Sequence, residues 1–174
     1  MSKASEAMGL ERSNYVIRGG VGGDVGFVMQ TWLRSAQKDF PLCLVPRDLF
    51  YASHGKLVEG AVGRSVVLVA ASPEDADLIM GWACVEQGVL HFVYVKGSLR
   101  GFGLGRALLD AGGIDTTKAM TVSHLNAWTR KLAARGVRIE YDPYSLYEGQ
   151  ERHAGREAQS DRRGSEGAPR EQSD

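Results

Sequence analysis

The segment Arg100-Gly101-Phe102-Gly103-Leu104-Gly105-Arg106 places glycine at every second position between two arginines. Glycine lets a backbone approach a ligand without interference from Cβ. The apolar run Val93-Tyr94-Val95 precedes this segment, and Leu104, Ala107, Leu108 and Ala111 recur after it at helical spacing. A strand that turns through glycines into a helix presents the first free amides of that helix, and the positive end of its dipole, to an anion. Arg100 and Arg106 add fixed charge suited to phosphate. The chemistry implied is the binding of a phosphate or pyrophosphate at a helix N-terminus. No Gly-Lys-Ser/Thr follows, so the turn is not a P-loop, and the third glycine comes one residue too early for a dinucleotide-binding fingerprint.

Positioning such a turn needs a sheet and a helix, and the rest of the chain supplies both. Asn14 to Arg18 reads as a first strand, ended by Gly19, Gly20, Gly22 and Gly23. Asp24 is a suitable N-cap for a helix carrying Val25, Val28, Met29, Trp32 and Ala36. A second helix starts near Pro46 and fades at Gly63. Ser65 to Ala70, Leu78 to Glu86 and Val89 to Val95 are strand-like, and Gln87-Gly88 reads as a tight hairpin. After the glycine turn and its helix, which Gly112-Gly113 stops, Ala119 to Ser123 reads as a strand. Leu125 to Arg135 reads as a helix stopped by Gly136, and Val137 to Tyr141 as a closing strand. The predicted order is β-α-α-β-β-β-α-β-α-β in an α/β (α+β) chain with a mixed, mostly antiparallel sheet.

Three segments follow from composition: a flexible N-terminus over 1–13, one domain over 14–148, and a disordered polar tail over 149–174, where aliphatic residues all but vanish. The 21 basic and 21 acidic side chains cancel, which removes the global field that would favour nucleic acid or membrane. Cys43 and Cys84 lie far apart in the sequence, and no cysteine–histidine cluster has metal-ligand spacing, so no metal is expected. No run of residues has the length of a signal peptide core or a membrane span, and the expected location is cytoplasmic.

The pattern Arg-x-x-Gly-x-Gly at Arg100, Gly103 and Gly105, with its flanking strand and paired leucines, resembles the GNAT acyltransferase superfamily. The element order from Tyr15 to about Tyr141 is similar to that family as well. The resemblance implies acetyl-CoA as co-substrate and transfer of its acetyl group to a primary amine within a ternary complex. It implies that the backbone of Val93 and Val95 pairs with the pantetheine arm. It also implies that the turn Arg100, Gly101, Phe102, Gly103, Leu104, Gly105 and Arg106 holds the pyrophosphate. Phe27 to Glu59 and His91 to Val95 also look like small acetyltransferase-like proteins of tailed phages.

The family's usual acid is a tyrosine four residues before the glycine that ends the next helix, where this chain has Leu132, and Thr121 stands where a base is common. The substitutes are Glu86, His91 and Tyr141, with Tyr144 and His124 behind them. By strict alternation His91 shares a strand face with Val93 and Val95. The acceptor, a small-molecule or protein amine, falls by the same resemblance near Trp32, Phe40, Tyr51 and His54. Two other readings remain open at this point: a catalytically inactive binding or virion-associated module, and a nucleic-acid-modifying enzyme on the same scaffold.

Overall fold

A computed structural model describes residues 14–147, so the expectations for 1–13 and 149–174 lie outside the described residues. Ten regular elements follow one another: β1 (Val16–Gly19), α1 (Val25–Ala36), α2 (Arg47–Arg64), β2 (Val66–Ala71), β3 (Ile79–Glu86), β4 (Val89–Val95), α3 (Leu104–Ala111), β5 (Met120–Val122), α4 (Ala127–Ala134) and β6 (Ile139–Tyr141). The chain therefore has the mixed α/β fold and the element order expected from its sequence. The six strands form one sheet in sequence order. β1 to β4 are antiparallel, whereas β5 runs parallel to β4 and β6 parallel to β5.

Local chemistry accounts for the elements. β3 and β4 are joined at Gln87 and Gly88, both at positive φ (47° and 82°), the backbone that a two-residue hairpin needs to match strand twist. α4 begins two residues later than periodicity predicts. Asn126 Oδ1 accepts hydrogen bonds from the amides of Trp128 and Thr129, both at 2.9 Å, and Thr129 Oγ1 accepts in turn from the Asn126 amide. Asp24 sits at the cap position of α1 but does not cap it. Its carboxylate takes Arg18 at 2.6 Å and the Val21 amide at 2.8 Å, closing the glycine-rich turn instead.

The sheet separates two apolar layers. α1 and α2 cover one face through Val28, Trp32, Phe50, Val58 and Ala61 against Val69, Trp82, Cys84 and Phe92. α3 covers the other face through Leu104 and Leu108 against Ala70, Ala83, Val93 and Val95. Burying a large side chain of this kind contributes roughly 1.5–3 kcal/mol, and Trp32 and Trp82 are wholly buried with rings 5.6 Å apart. Gly81 is required by close approach, since a Cβ there would meet the Tyr94 carbonyl at 2.7 Å and Leu108 at 3.4 Å. α3 thus lies tight against β3 and β4, and its N-terminus is held beside the end of β4.

Candidate functional site

β4 and β5 pair only at Val89 with Thr121 and Leu90 with Val122. Beyond Leu90 the two strands part, and the C-terminal half of β4 has β3 on one side and no strand on the other. The Lys96 amide bonds to Met80 O on the β3 side. Alternation along an antiparallel pair then turns the N–H and C=O groups of Val93 and Val95 away from β3, toward the gap.

A cleft of about 500 Å³ occupies that gap. Phe92, Val93, Tyr94 and Val95 form one wall, and Arg100, Gly101, Gly103, Leu104 and Gly105 form its mouth. Gly101 and Gly103 have φ of 92° and 82°, the left-handed region in which glycine is favoured. Gly103 is the N-cap residue of α3, so the free first-turn amides of that helix open at the cleft. Arg100 donates from Nε to the Val95 carbonyl at 3.0 Å, tying the turn to the strand. Of the turn residues named from sequence, Phe102 and Arg106 stand apart from the lining. Phe102 is exposed, and Arg106 faces Asp110 across 3.8 Å in an exposed pair.

The opposite wall was not legible as a site. Ser35, Lys38 and Asp39 follow from the end of α1, and Asn126, Trp128 and Lys131 come from α4. Lys38 and Lys131 add cationic charge to that of Arg100. Burial raises the Asp39 carboxyl above its ordinary value, opposed by Arg130 at 3.8 Å. These residues lie far from the glycine turn in sequence and carry no motif, so only tertiary packing brings them to it.

A second group of polar side chains lies where β4 and β5 cease to pair, just past Leu90 and Val122. A β-bulge sets Cys84 opposite Phe92 and Val85 opposite Leu90, leaving His91 as the extra residue. This corrects the face expected for His91. The inserted residue breaks the alternation, so His91 turns away from Val93 and Val95 toward Glu86, and it is almost wholly buried. His91 Nε2 lies 3.1 Å from Glu86 Oε2, and Nδ1 lies 3.0 Å from Ser123 Oγ. Ser123 Oγ reaches His124 Nδ1 at 3.4 Å, and His124 Nε2 lies 3.1 Å from His54 Nε2 on α2. Arg64 holds the far side of Glu86 at 3.4 Å.

Burial pushes all three histidines toward the neutral form. His124 falls to about 3, with His54 and His91 adding to the effect of burial, and His91 is lowered despite the opposing pull of Glu86. The Glu86–His91 contact is therefore a hydrogen bond from a neutral ring to a carboxylate. The structure brings Glu86 and His91 together, while Tyr141 stands on the edge strand β6, half exposed and away from the cleft. His124 packs edge-on against Phe92 and Trp32, both at 5.8 Å between ring centroids. Trp32 Nε1 is buried without a hydrogen-bond partner among the described residues. A smaller hollow of about 400 Å³ lies between α1 and α2, lined by Gln30, Arg34, Arg47 and Tyr51.

Among the described residues no cluster of histidine, cysteine or carboxylate side chains could hold a metal ion, and no helix is long and apolar enough to cross a membrane. No family model matches the sequence, and no curated protein does either. Several solved structures are similar in part. A candidate acetyl transferase from Pyrococcus furiosus is 15% identical with a TM-score of 0.45, over 92% of this chain and 98% of that one. A GNAT family acetyltransferase from Brucella melitensis, solved with acetyl-CoA, is 19% identical with a TM-score of 0.41, over 82% of each chain. The apo form of YjaB from Escherichia coli is 17% identical with a TM-score of 0.43, and this chain spans 63% of its length.

Proposed function

We propose that this chain is an acyl-CoA-dependent N-acyltransferase that moves acetyl from acetyl-CoA to a primary amine. The observation that carries the reading is the parting of β4 from β5 after Leu90, with the glycine turn and the N-terminus of α3 at the mouth of the resulting cleft. An extended thioester-bearing arm fits the unpaired edge of β4, where Val93 and Val95 offer it backbone donors and acceptors. The diphosphate of that arm fits the first-turn amides of α3, with Arg100, Lys38 and Lys131 supplying charge. A strand amide at the thioester oxygen would stabilise the developing oxyanion, and fixed placement of the two reactants supplies much of the acceleration.

The acceptor side of this reading is the α1–α2 layer. Arg34 and Arg47 line one hollow with no carboxylate partner among the described residues, so the favoured acceptor is an amine that also bears a carboxylate or phosphate. Thiol release from acetyl-CoA in the presence of a panel of primary amines tests the activity. Release that depends on an amine supports it, and release with none of them sinks it.

A further inference from the structure

Glu86, His91 and Tyr141 do not line the cleft, so the proton that an attacking amine must lose needs another acceptor. Asp39 is the one carboxylate among the described residues that line it. It stands just past the end of α1, on the wall opposite Phe92, Val93, Tyr94 and Val95.

Its contacts fix its place along the cleft. The Asp39 carboxylate accepts a hydrogen bond from the amide of Ala127, the first residue of α4. The Ser123 amide bonds to Leu90 O, where β4 and β5 cease to pair, and Ala127 follows within a few residues. Asp39 is thus anchored near the parting of the strands, whereas Gly103 and the free amides of α3 follow the other end of β4. An arm lying along β4 with its diphosphate at α3 carries its thioester toward the parting, and so toward Asp39.

The carboxylate keeps room for a proton there. Asn126 Oδ1 takes the amides of Trp128 and Thr129, which leaves only the Ala127 amide to Asp39. Arg130 Nη2 stands 3.8 Å from Asp39 Oδ1, beyond hydrogen-bond reach, so lone pairs remain open. Burial makes the carboxyl bind a proton more readily than a surface aspartate does, against the charge of Arg130 and the Ala127 bond. Its side chain is still 21% exposed, which leaves a path to water. Lys38 beside it, Lys131 on α4 and Arg100 at the mouth are the other charged groups of the cleft.

We infer that Asp39 is the catalytic base, taking a proton from the amine as its nitrogen bonds to the thioester carbon. This role rests on the acyltransferase reading. The amine lone pair forms the new carbon–nitrogen bond, and the carbonyl pair moves onto oxygen. An N–H proton passes to Asp39. As the carbonyl reforms, the carbon–sulfur bond breaks and its electron pair leaves on the thiolate. Asp39 then gives its proton to water, which restores the carboxylate for the next turnover.

Asp39→Asn keeps an oxygen for the Ala127 amide and removes the base. With phosphoethanolamine, β-alanine and ethylamine as acceptors, kcat should fall about a hundredfold, within the range for loss of a general base, with KM for acetyl-CoA unchanged. The wild-type rate falls on acidification because the amine must be neutral, and it should fall more steeply once Asp39 is protonated. That steepening should vanish in Asp39→Asn. Arg130→Gln should move it to higher pH at low ionic strength, because the Arg130 charge holds the carboxyl down, and this variant decides the matter if Asp39→Asn does not fold. A folded Asp39→Asn with the wild-type kcat, or an Arg130→Gln profile that does not move, overturns the role of Asp39 alone. A wild type that binds acetyl-CoA but acylates none of these amines overturns the acyltransferase reading, and the role of Asp39 with it.

Discussion

His54 and His124 face each other through their Nε2 atoms at 3.1 Å, one ring on α2 and the other just past β5. Two imidazoles at that distance share one proton, so both rings cannot be charged together without loss of the contact. The pair joins the α1–α2 layer to the end of the parallel part of the sheet, at the place where β4 and β5 separate.

Acid should therefore destabilise the protein through its histidines. The folded-state values of His54, His91 and His124 lie below the ordinary histidine value of 6.5. On acidification the unfolded chain takes up these protons first. The contribution is complete above 6.5 and is lost as pH falls through the window, which for His124 runs from 6.5 to about 3. The buried His124 costs up to about 1.4 kcal/mol per pH unit inside its window. Asp39 acts in the opposite sense, since its raised carboxyl binds a proton more readily in the folded state. Urea unfolding at a series of pH values checks this. A stability that stays flat between neutrality and pH about 5 would contradict it.

Gly103 and Gly105 should separate architecture from ligand binding. Gly103 has φ of 82°, so Gly103→Ala should cost on the order of 1 kcal/mol of stability. Gly105 lies in the first turn of α3, and a Cβ there would meet only Val95 Cγ2, at an ordinary 3.7 Å. Gly105→Ala should leave stability unchanged or raise it by up to about 1 kcal/mol, yet weaken acetyl-CoA binding by crowding the pyrophosphate. Denaturant titration and calorimetry on the two variants read the two effects apart. Equal acetyl-CoA affinity in Gly105→Ala and wild type would count against close approach at that residue.

The hollow beside Arg34 and Arg47 predicts a charge preference in the acceptor. Arg34→Gln with Arg47→Gln should raise KM several-fold for amines carrying a carboxylate or phosphate and leave neutral amines unaffected. Added salt should weaken the same substrates in the wild type. Identical KM changes for neutral and anionic amines would remove the hollow from the acceptor site.

The two thiols should differ sharply. Cys43 is exposed, whereas Cys84 is wholly buried between β2 and β4, and burial pushes its thiol up to about 12. A maleimide should label Cys43 in the native protein and Cys84 only on unfolding. Fast labelling of Cys84 under native conditions would show that the core around Trp82 opens readily.

The sequence carried most of the fold because its signals were local. The Gln87-Gly88 hairpin, the glycine stops at Gly112-Gly113 and Gly136, and the alternate glycines from Gly101 to Gly105 each specify backbone geometry within a few residues. The bulge at His91 was hidden because an inserted residue leaves the apolar run of β4 intact while reversing one side chain. Asp24 shows a similar limit: its type suits a cap, but Arg18 six residues away competes for the carboxylate and wins with two hydrogen bonds. Half of the cleft was legible at the glycine turn. The other half, at Lys38, Asp39 and Lys131, and the chain from Ser123 to His54, depend on contacts between elements far apart in sequence.

The most direct test of the central claim is calorimetric titration of the full chain with acetyl-CoA, with Arg100→Ala and Gly105→Val as controls whose folding is verified by circular dichroism. The cleft between β4 and β5 predicts saturable one-to-one binding in the wild type and a marked loss of affinity in both folded variants. No heat of binding in the wild type, or undiminished affinity in both variants, would contradict the cleft as an acyl-CoA site.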